Sequence, residues 1–182
     1  MSTLADKVVA LHEALDDAGL PHAFGGALAL AWCTHRARGT IDIDVNVFVG
    51  VDRVADVTAA LPADVVVPDD DVERLGRDGQ ARLWWGNTPI DVFLDTTDFH
   101  RQVGGRVRFE AFNDAVVPFL SCADLAVFKA FFDRTKDWAD LEEMQAMGTL
   151  DADRVIGVLV RYLGADDARV ARMLALASPP VA

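Results

Sequence analysis

From Thr40 to Val49 the chain reads Thr-Ile-Asp-Ile-Asp-Val-Asn-Val-Phe-Val. Ile41, Ile43, Val45, Val47 and Val49 alternate with Asp42, Asp44, Asn46 and Phe48. A period of two sorts into one apolar and one polar face only when the backbone is extended. The pattern predicts a strand over 41–49 whose apolar face is committed to a core. Asp42 and Asp44 then share the other face, about 7 Å apart along the strand at roughly 3.3 Å per residue. Two carboxylates so placed repel at neutral pH. A bound divalent cation relieves that repulsion, and an all-oxygen site suits magnesium. A solvated outer face is the alternative. It fits less well, because Phe48 ends the polar side of the strand and because of what surrounds it.

Gly25-Gly26 lies at a strand-to-helix junction upstream of the pair. Without side chains the backbone can approach a phosphate closely, and a helix N-terminus offers free N–H groups and a positive dipole end. A third aspartate, Asp91, alternates with Ile90 and Val92 in Pro89-Ile-Asp-Val-Phe-Leu94. Three carboxylates on adjacent strands are what two magnesium ions need to align a nucleoside triphosphate with an acceptor hydroxyl.

The 182 residues are enough for one domain with a core, or a domain with a small appendage. An apolar content of 52% with 25% charged residues describes a globular chain. No apolar run is long enough to span a membrane, and Met1–Lys7 lacks the basic-then-apolar layout of a secretory signal. We therefore expect a cytoplasmic protein without membrane partners. A net charge of −12 argues against broad nonspecific nucleic-acid binding, which depends on neutralising phosphates. Local basic groups exist: Arg101/Arg106/Arg108, Arg74/Arg77/Arg82 and Lys129/Arg134/Lys136. Each reads most simply as a solvated face. Cys33 and Cys122 are isolated in predicted helices and read as reduced core thiols. Trp84-Trp85 has adjacent residues facing opposite ways, so at most one can reach a site; core packing is the expectation.

The periodicity predicts a helix over 3–18, a strand at 22–24 and a buried helix from Ala27 to His35. It then gives the strand 41–49, a helix over 52–61 capped by Asp52, and a strand at 63–67. Pro68–Gly79 is acidic and loop-like. Gly86-Asn87 joins two strands, 81–85 and 88–94, as a hairpin. Residues 96–105 read as a polar loop, and 106–109 and 115–117 as short strands. From Ser121 onward the pattern is helical, with Ser121 and Asp124 as a capping box, Asp151 as an N-cap, Gly148 and Gly164 as stops, and a frayed tail from Ser178. The expectation is an α+β chain. Residues 1–118 form a mixed sheet flanked by helices, and 119–182 form a helical region that packs on it and shares a cleft.

Gly25-Gly-Ala-Leu-Ala-Leu30 followed by Arg38-Gly-Thr-Ile-Asp-Ile-Asp44 resembles the signature of the polymerase-β-like nucleotidyltransferase superfamily. The style is that of the branch holding the AbiEii-type toxins, the MenT-like tRNA nucleotidyltransferase toxins and small antibiotic-modifying transferases. Asp124-Leu-Ala-Val-Phe-Lys129 and Arg134-Thr-Lys-Asp-Trp-Ala-Asp-Leu141 resemble a helix pair of the same branch. The resemblance spans about residues 22–143. It implies that Asp42, Asp44 and Asp91 hold two magnesium ions and the triphosphate, with Asp91 acting as general base toward the acceptor. It implies that Gly25 and Gly26 cradle phosphates and that Arg38 and Thr40 touch phosphate. Lys129 would point at the triphosphate, with Lys136, Asp137 and Asp140 ordering that wall. One departure stands out: the commoner motif has Gly-Ser, whose hydroxyl contacts phosphate, where this chain has Gly26. The implied activity is transfer of a nucleoside monophosphate from an NTP such as ATP. The first acceptor is tRNA, with the chain as a toxin paired to an antitoxin protein. A small-molecule antibiotic or a protein hydroxyl is the alternative acceptor, and a non-catalytic binding module is the reading from a different class.

Overall fold

A computed structural model of the protein describes residues 2–178; residues 179–182, where the frayed tail was expected, lie outside the described residues. The chain divides into two compact units, Met1–Leu28 with Arg38–Leu120 and Ala29–Ala37 with Ser121–Ala182.

The first unit is built on a seven-stranded mixed sheet. Its strands are β1 (His22–Phe24), β2 (Ile43–Gly50), β3 (Val65–Val66), β4 (Gln80–Trp85), β5 (Thr88–Asp95), β6 (Arg108–Phe112) and β7 (Ala115–Phe119), in the order β3-β4-β5-β2-β1-β7-β6. The pairs β2/β5 and β1/β7 are parallel and the rest antiparallel. The core runs along the centre of this order. Ile43, Val45 and Val47 of β2 and Ile90 and Val92 of β5 are fully buried. Their alternates Asp44, Phe48, Asp91 and Phe93 are only partly covered, as the period of two dictates.

Four helices belong wholly to this unit: α1 (Leu4–Asp17), α3 (Val54–Ala60), α4 (Asp69–Asp78) and α5 (Asp98–Val103). Thr3 and Asp6 close a capping box at the start of α1, and Gly19, at φ +65°, follows its end. Val8, Leu11 and Leu15 of α1 are fully buried.

Four local expectations need correcting. Pro68–Gly79 is not a loop: Asp69, Asp70 and Asp71 fill the first turn of α4, where carboxylates suit the helix dipole, and Gly79 stops it in the left-handed conformation. Residues 96–105 contain α5, capped by the Thr97 hydroxyl, which accepts from the His100 N–H. Asp52 sits in a single 3-10 turn and makes no side-chain cap of α3. The central strand begins at Ile43 rather than Ile41. Ile41 is 71% exposed, because the Thr40 hydroxyl folds the chain into a turn with the Asp42 backbone.

The second unit is helical. It takes the greater part of α2 (Gly26–Thr34) together with α6 (Cys122–Phe132), α7 (Thr135–Ala146), α8 (Ala152–Leu163) and α9 (Ala168–Ala177). Ser121 caps α6 by accepting from the Asp124 N–H, and Asp151 caps α8. Arg154 of α8 reaches the buried Asp124 carboxylate at 2.7 Å. The cysteines are not reduced thiols. Cys33 and Cys122 form a disulfide with Cα atoms 5.5 Å apart across a sequence separation of 89. Their distance along the chain hid the meeting of the α2 end with the α6 start. Among the described residues no helix is long and apolar enough to cross a membrane.

Candidate active site

The sheet register assembles the site within the first unit. Asp44 on β2 is the direct partner of Asp91 on parallel β5, and Asp91 is the direct partner of Arg82 on antiparallel β4. Three neighbouring strands therefore carry Asp44, Asp91 and Arg82 in one row, about 4.8 Å from strand to strand. Asp42 stands just before β2, held by two hydrogen bonds between its backbone and the Thr40 hydroxyl.

Arg82 clamps Asp91 in a bidentate pair, Nε donating to Oδ1 at 2.7 Å and Nη2 to Oδ2 at 2.6 Å. Nη2 also lies 3.8 Å from Asp42 Oδ2. The guanidinium is held firmly protonated, first by its hydrogen bonds to Asp91 and then by the charges of Asp91, Asp42 and Asp44. Arg82 thus touches Asp91 and lies beside Asp42, and Asp44 is the strand partner of Asp91. The side chains are one-fifth to one-half exposed, so water screens the pair and its contribution to stability is small.

Gly25 and Gly26 close the row on the β1 side. The Gly25 N–H donates to the Asp44 carbonyl at 2.9 Å. Gly26 adopts φ +54°, and a Cβ there would fall 1.8 Å from Asp44 Oδ2. The Asp44 carboxylate occupies the space a side chain at 26 would need. This gives a physical reason for glycine where the commoner motif has serine. Farther along β2 the same face closes: Asn46 is buried, and the Phe48 ring meets the His100 ring edge-on at 5.7 Å. The carboxylates therefore lie at the open end of that face.

The remaining predicted residues are placed as follows. Arg38 is exposed ahead of Thr40. In the helical unit Lys129 is buried, its ammonium 2.6 Å from Asp140 and 3.7 Å from Asp137. Asp137 is almost wholly buried and also accepts from the Arg134 N–H and Nε, while Lys136 is exposed on α7. Trp84 is not a core residue. It is 45% exposed and shares a face of β4 with Arg82, two residues away. Arg82 belongs to one of the basic groups that composition alone assigns to a solvated face. The signal for it was present: a two-residue turn at Gly86-Asn87 pairs Trp85 with Thr88 and so sets Arg82 opposite Asp91.

Among the described residues no three His, Cys, Asp or Glu side chains form a metal cage by themselves. Magnesium needs fewer, since one or two carboxylates together with phosphate oxygens complete its shell. Asp42, Asp44 and Asp91 supply partly exposed oxygen donors of the right chemistry, and the cradle at Gly26 keeps Asp44 against a helix start. The residues fit such an ion in the company of a phosphate.

No family model matches the sequence, and no curated protein matches it. Solved structures do. The antibiotic-resistance factor ANT(2'')-Ia aligns over 94% of this chain and 94% of its own, with a TM-score of 0.56 at 17% identity. The fold is that of the nucleotidyltransferases. An antigenic nucleotidyltransferase-like protein from Paracoccidioides brasiliensis aligns over 94% of this chain and 85% of its own, with a TM-score of 0.50 at 14% identity. At these identities the likeness is one of architecture: a mixed sheet flanked by helices.

Proposed function

We propose that this protein is a magnesium-dependent nucleotidyltransferase. The observation that carries the reading is Asp44 and Asp91 paired on adjacent strands, with Gly26, the first residue of α2, packed against the Asp44 carboxylate. In the proposed reaction an acceptor hydroxyl oxygen bonds to the α-phosphorus of a nucleoside triphosphate. The bond from that phosphorus to the bridging oxygen breaks, and pyrophosphate leaves with the electron pair. Bound magnesium supplies neutralisation of the charge that develops on the phosphate oxygens.

The residues of this chain do the positioning. Gly25 and Gly26 admit the phosphates to the backbone, Thr40 fixes the Asp42 main chain, and Arg38 meets the triphosphate at the mouth of the strand. Asp91 faces the acceptor and takes its proton.

For the acceptor we propose tRNA, with the protein acting in the cytoplasm as the toxin of a pair whose partner is an antitoxin protein. The support is the likeness of the blocks Arg38–Asp44 and Asp124–Leu141 to the AbiEii and MenT-like branch. Transfer to a small antibiotic is the second reading, favoured by the resistance factor among the structural neighbours. The test is incubation with total RNA, magnesium and nucleotides labelled at either the α- or the γ-phosphate. Incorporation of the α-label alone into tRNA, lost in Asp42→Asn and Asp44→Asn, is the expected result. Label reaching a small acceptor but no RNA overturns the tRNA assignment. Label reaching nothing while nucleotide still binds makes the protein a binding module.

A further inference from the structure

The row of site residues has a direction. Along the strand order β1, β2, β5, β4, β3 it runs from Gly25 and Gly26 past Asp44 and Asp91 to Arg82. If the glycines admit the triphosphate, the acceptor enters from the far side, over β4. Two side chains stand there on one face of β4, Arg82 and, about 7 Å along the strand, Trp84. Trp84 is directly opposite Pro89 on β5 and Val66 on β3, and Val66 is 59% exposed. An indole exposed to 45% and flanked by apolar neighbours thus borders the carboxylate row.

We propose that Trp84 and Arg82 form the acceptor subsite: a flat ring of the acceptor stacks on the Trp84 indole, and an anionic group beside that ring is met by Arg82. The proposal rests on the nucleotidyltransferase reading above and adds the residues that select the acceptor. An exposed indole offers a π-face to any planar base without reading its edge. A guanidinium matches phosphate geometry, and Arg82 is fixed beside the row by its contacts with Asp91. The chemistry that fits is a nucleotide at an unpaired strand end, with its base on Trp84 and its phosphate at Arg82.

The test is a fluorescence-anisotropy titration of the full chain into a 5′-fluorescein-labelled short single-stranded RNA ending in an unpaired adenosine. Binding of a magnesium–NTP mixture is measured by calorimetry on the same samples. Wild type shows a saturable rise in anisotropy. Trp84→Ala weakens RNA binding roughly 5- to 150-fold, the range for loss of one base–aromatic stack, with NTP binding unchanged. Trp84→Phe, which keeps a ring, stays within about threefold of wild type. Arg82→Gln weakens RNA binding and lowers its salt dependence. Equal RNA affinity in wild type and Trp84→Ala, with NTP binding intact, overturns the subsite alone. So does Trp84-dependent binding of kanamycin, a cationic amino sugar, or of a protein acceptor in place of RNA. Failure of wild type to bind magnesium–NTP overturns the underlying reading as well.

Discussion

Gly26→Ala makes the sharpest demand on the site. The added Cβ falls 1.8 Å from Asp44 Oδ2, 2.6 Å from its Cγ and 3.1 Å from its Cβ. An ordinary carbon–oxygen contact is about 3.3 Å, so the carboxylate must retreat by roughly 1.5 Å. Alanine must also hold φ +54°, which costs a non-glycine residue about 1–2 kcal/mol. For a chain of this size that lowers the midpoint of thermal unfolding by about 2–8 °C. The chemical consequence is larger, because a shift of about 1 Å in a positioning group costs on the order of a hundredfold in rate. Gly25→Ala is the control. Its Cβ meets Asn46 Nδ2 and Leu120 Cδ1 at 3.2 Å and lies 3.8 Å from Asp44 Cβ, and no left-handed φ is involved. The assay is magnesium-dependent pyrophosphate release together with calorimetric binding of magnesium–NTP. Gly26→Ala is expected to lose about a hundredfold in rate and Gly25→Ala less than about tenfold. Wild-type rates in Gly26→Ala, or equal damage in both variants, would refute the argument that Gly26 exists to seat Asp44.

Three further outcomes follow from the pairings described. Lys129→Met strands Asp140 beside Asp137 in a buried setting, which costs about 3–5 kcal/mol and is read as a large fall in thermal midpoint; loss of nucleotide affinity with an unchanged midpoint would instead give Lys129 to the triphosphate. Burial pushes the His100 imidazole down to about 4 and also lowers His22. Between about pH 6.5 and 4 the unfolded chain therefore binds protons the folded chain refuses. Stability falls as pH falls through that window, by up to about 3 kcal/mol for His100; urea titrations at pH 7 and 4.5 with equal midpoints would contradict this. Reducing the Cys33–Cys122 bridge frees a loop of 89 residues, worth about 4–5 kcal/mol by chain entropy, so a reductant should lower the thermal midpoint by more than about 8 °C. An unchanged midpoint after verified reduction would contradict it.

Much of the site is legible in the sequence because it rests on period-two alternation and on one turn. Alternation placed Asp44 and Asp91 on the faces opposite Ile43, Val45, Ile90 and Val92, where the structure has them. The Gly86-Asn87 hairpin also fixes Arg82 as the residue that faces Asp91, although its charge alone points only to a solvated surface. Trp84 departs from the core packing expected of it. Tryptophan content suggests a core, but β4 lies next to the short edge strand β3, and its outer face stays open. The disulfide was illegible, since it depends on two helices meeting after a separation of 89 residues. The acidic segment before Gly79 is loop-like in composition, but its three aspartates are a helix-start signal. The Lys129–Asp140 pair likewise depends on how α6 and α7 meet, which local periodicity does not determine.

Asp42, Asp44 and Asp91 are proposed to form a divalent-cation site completed by a nucleotide. Manganese titration followed by electron paramagnetic resonance, in the presence of a non-hydrolysable NTP analogue, tests this without reference to any acceptor. Nucleotide-dependent loss of the free manganese signal is expected in the wild type. That loss should be abolished in Asp44→Asn, strongly weakened in Asp91→Asn, and retained in Trp84→Ala. Manganese uptake that is the same with and without the aspartates, or that ignores the nucleotide, would contradict it.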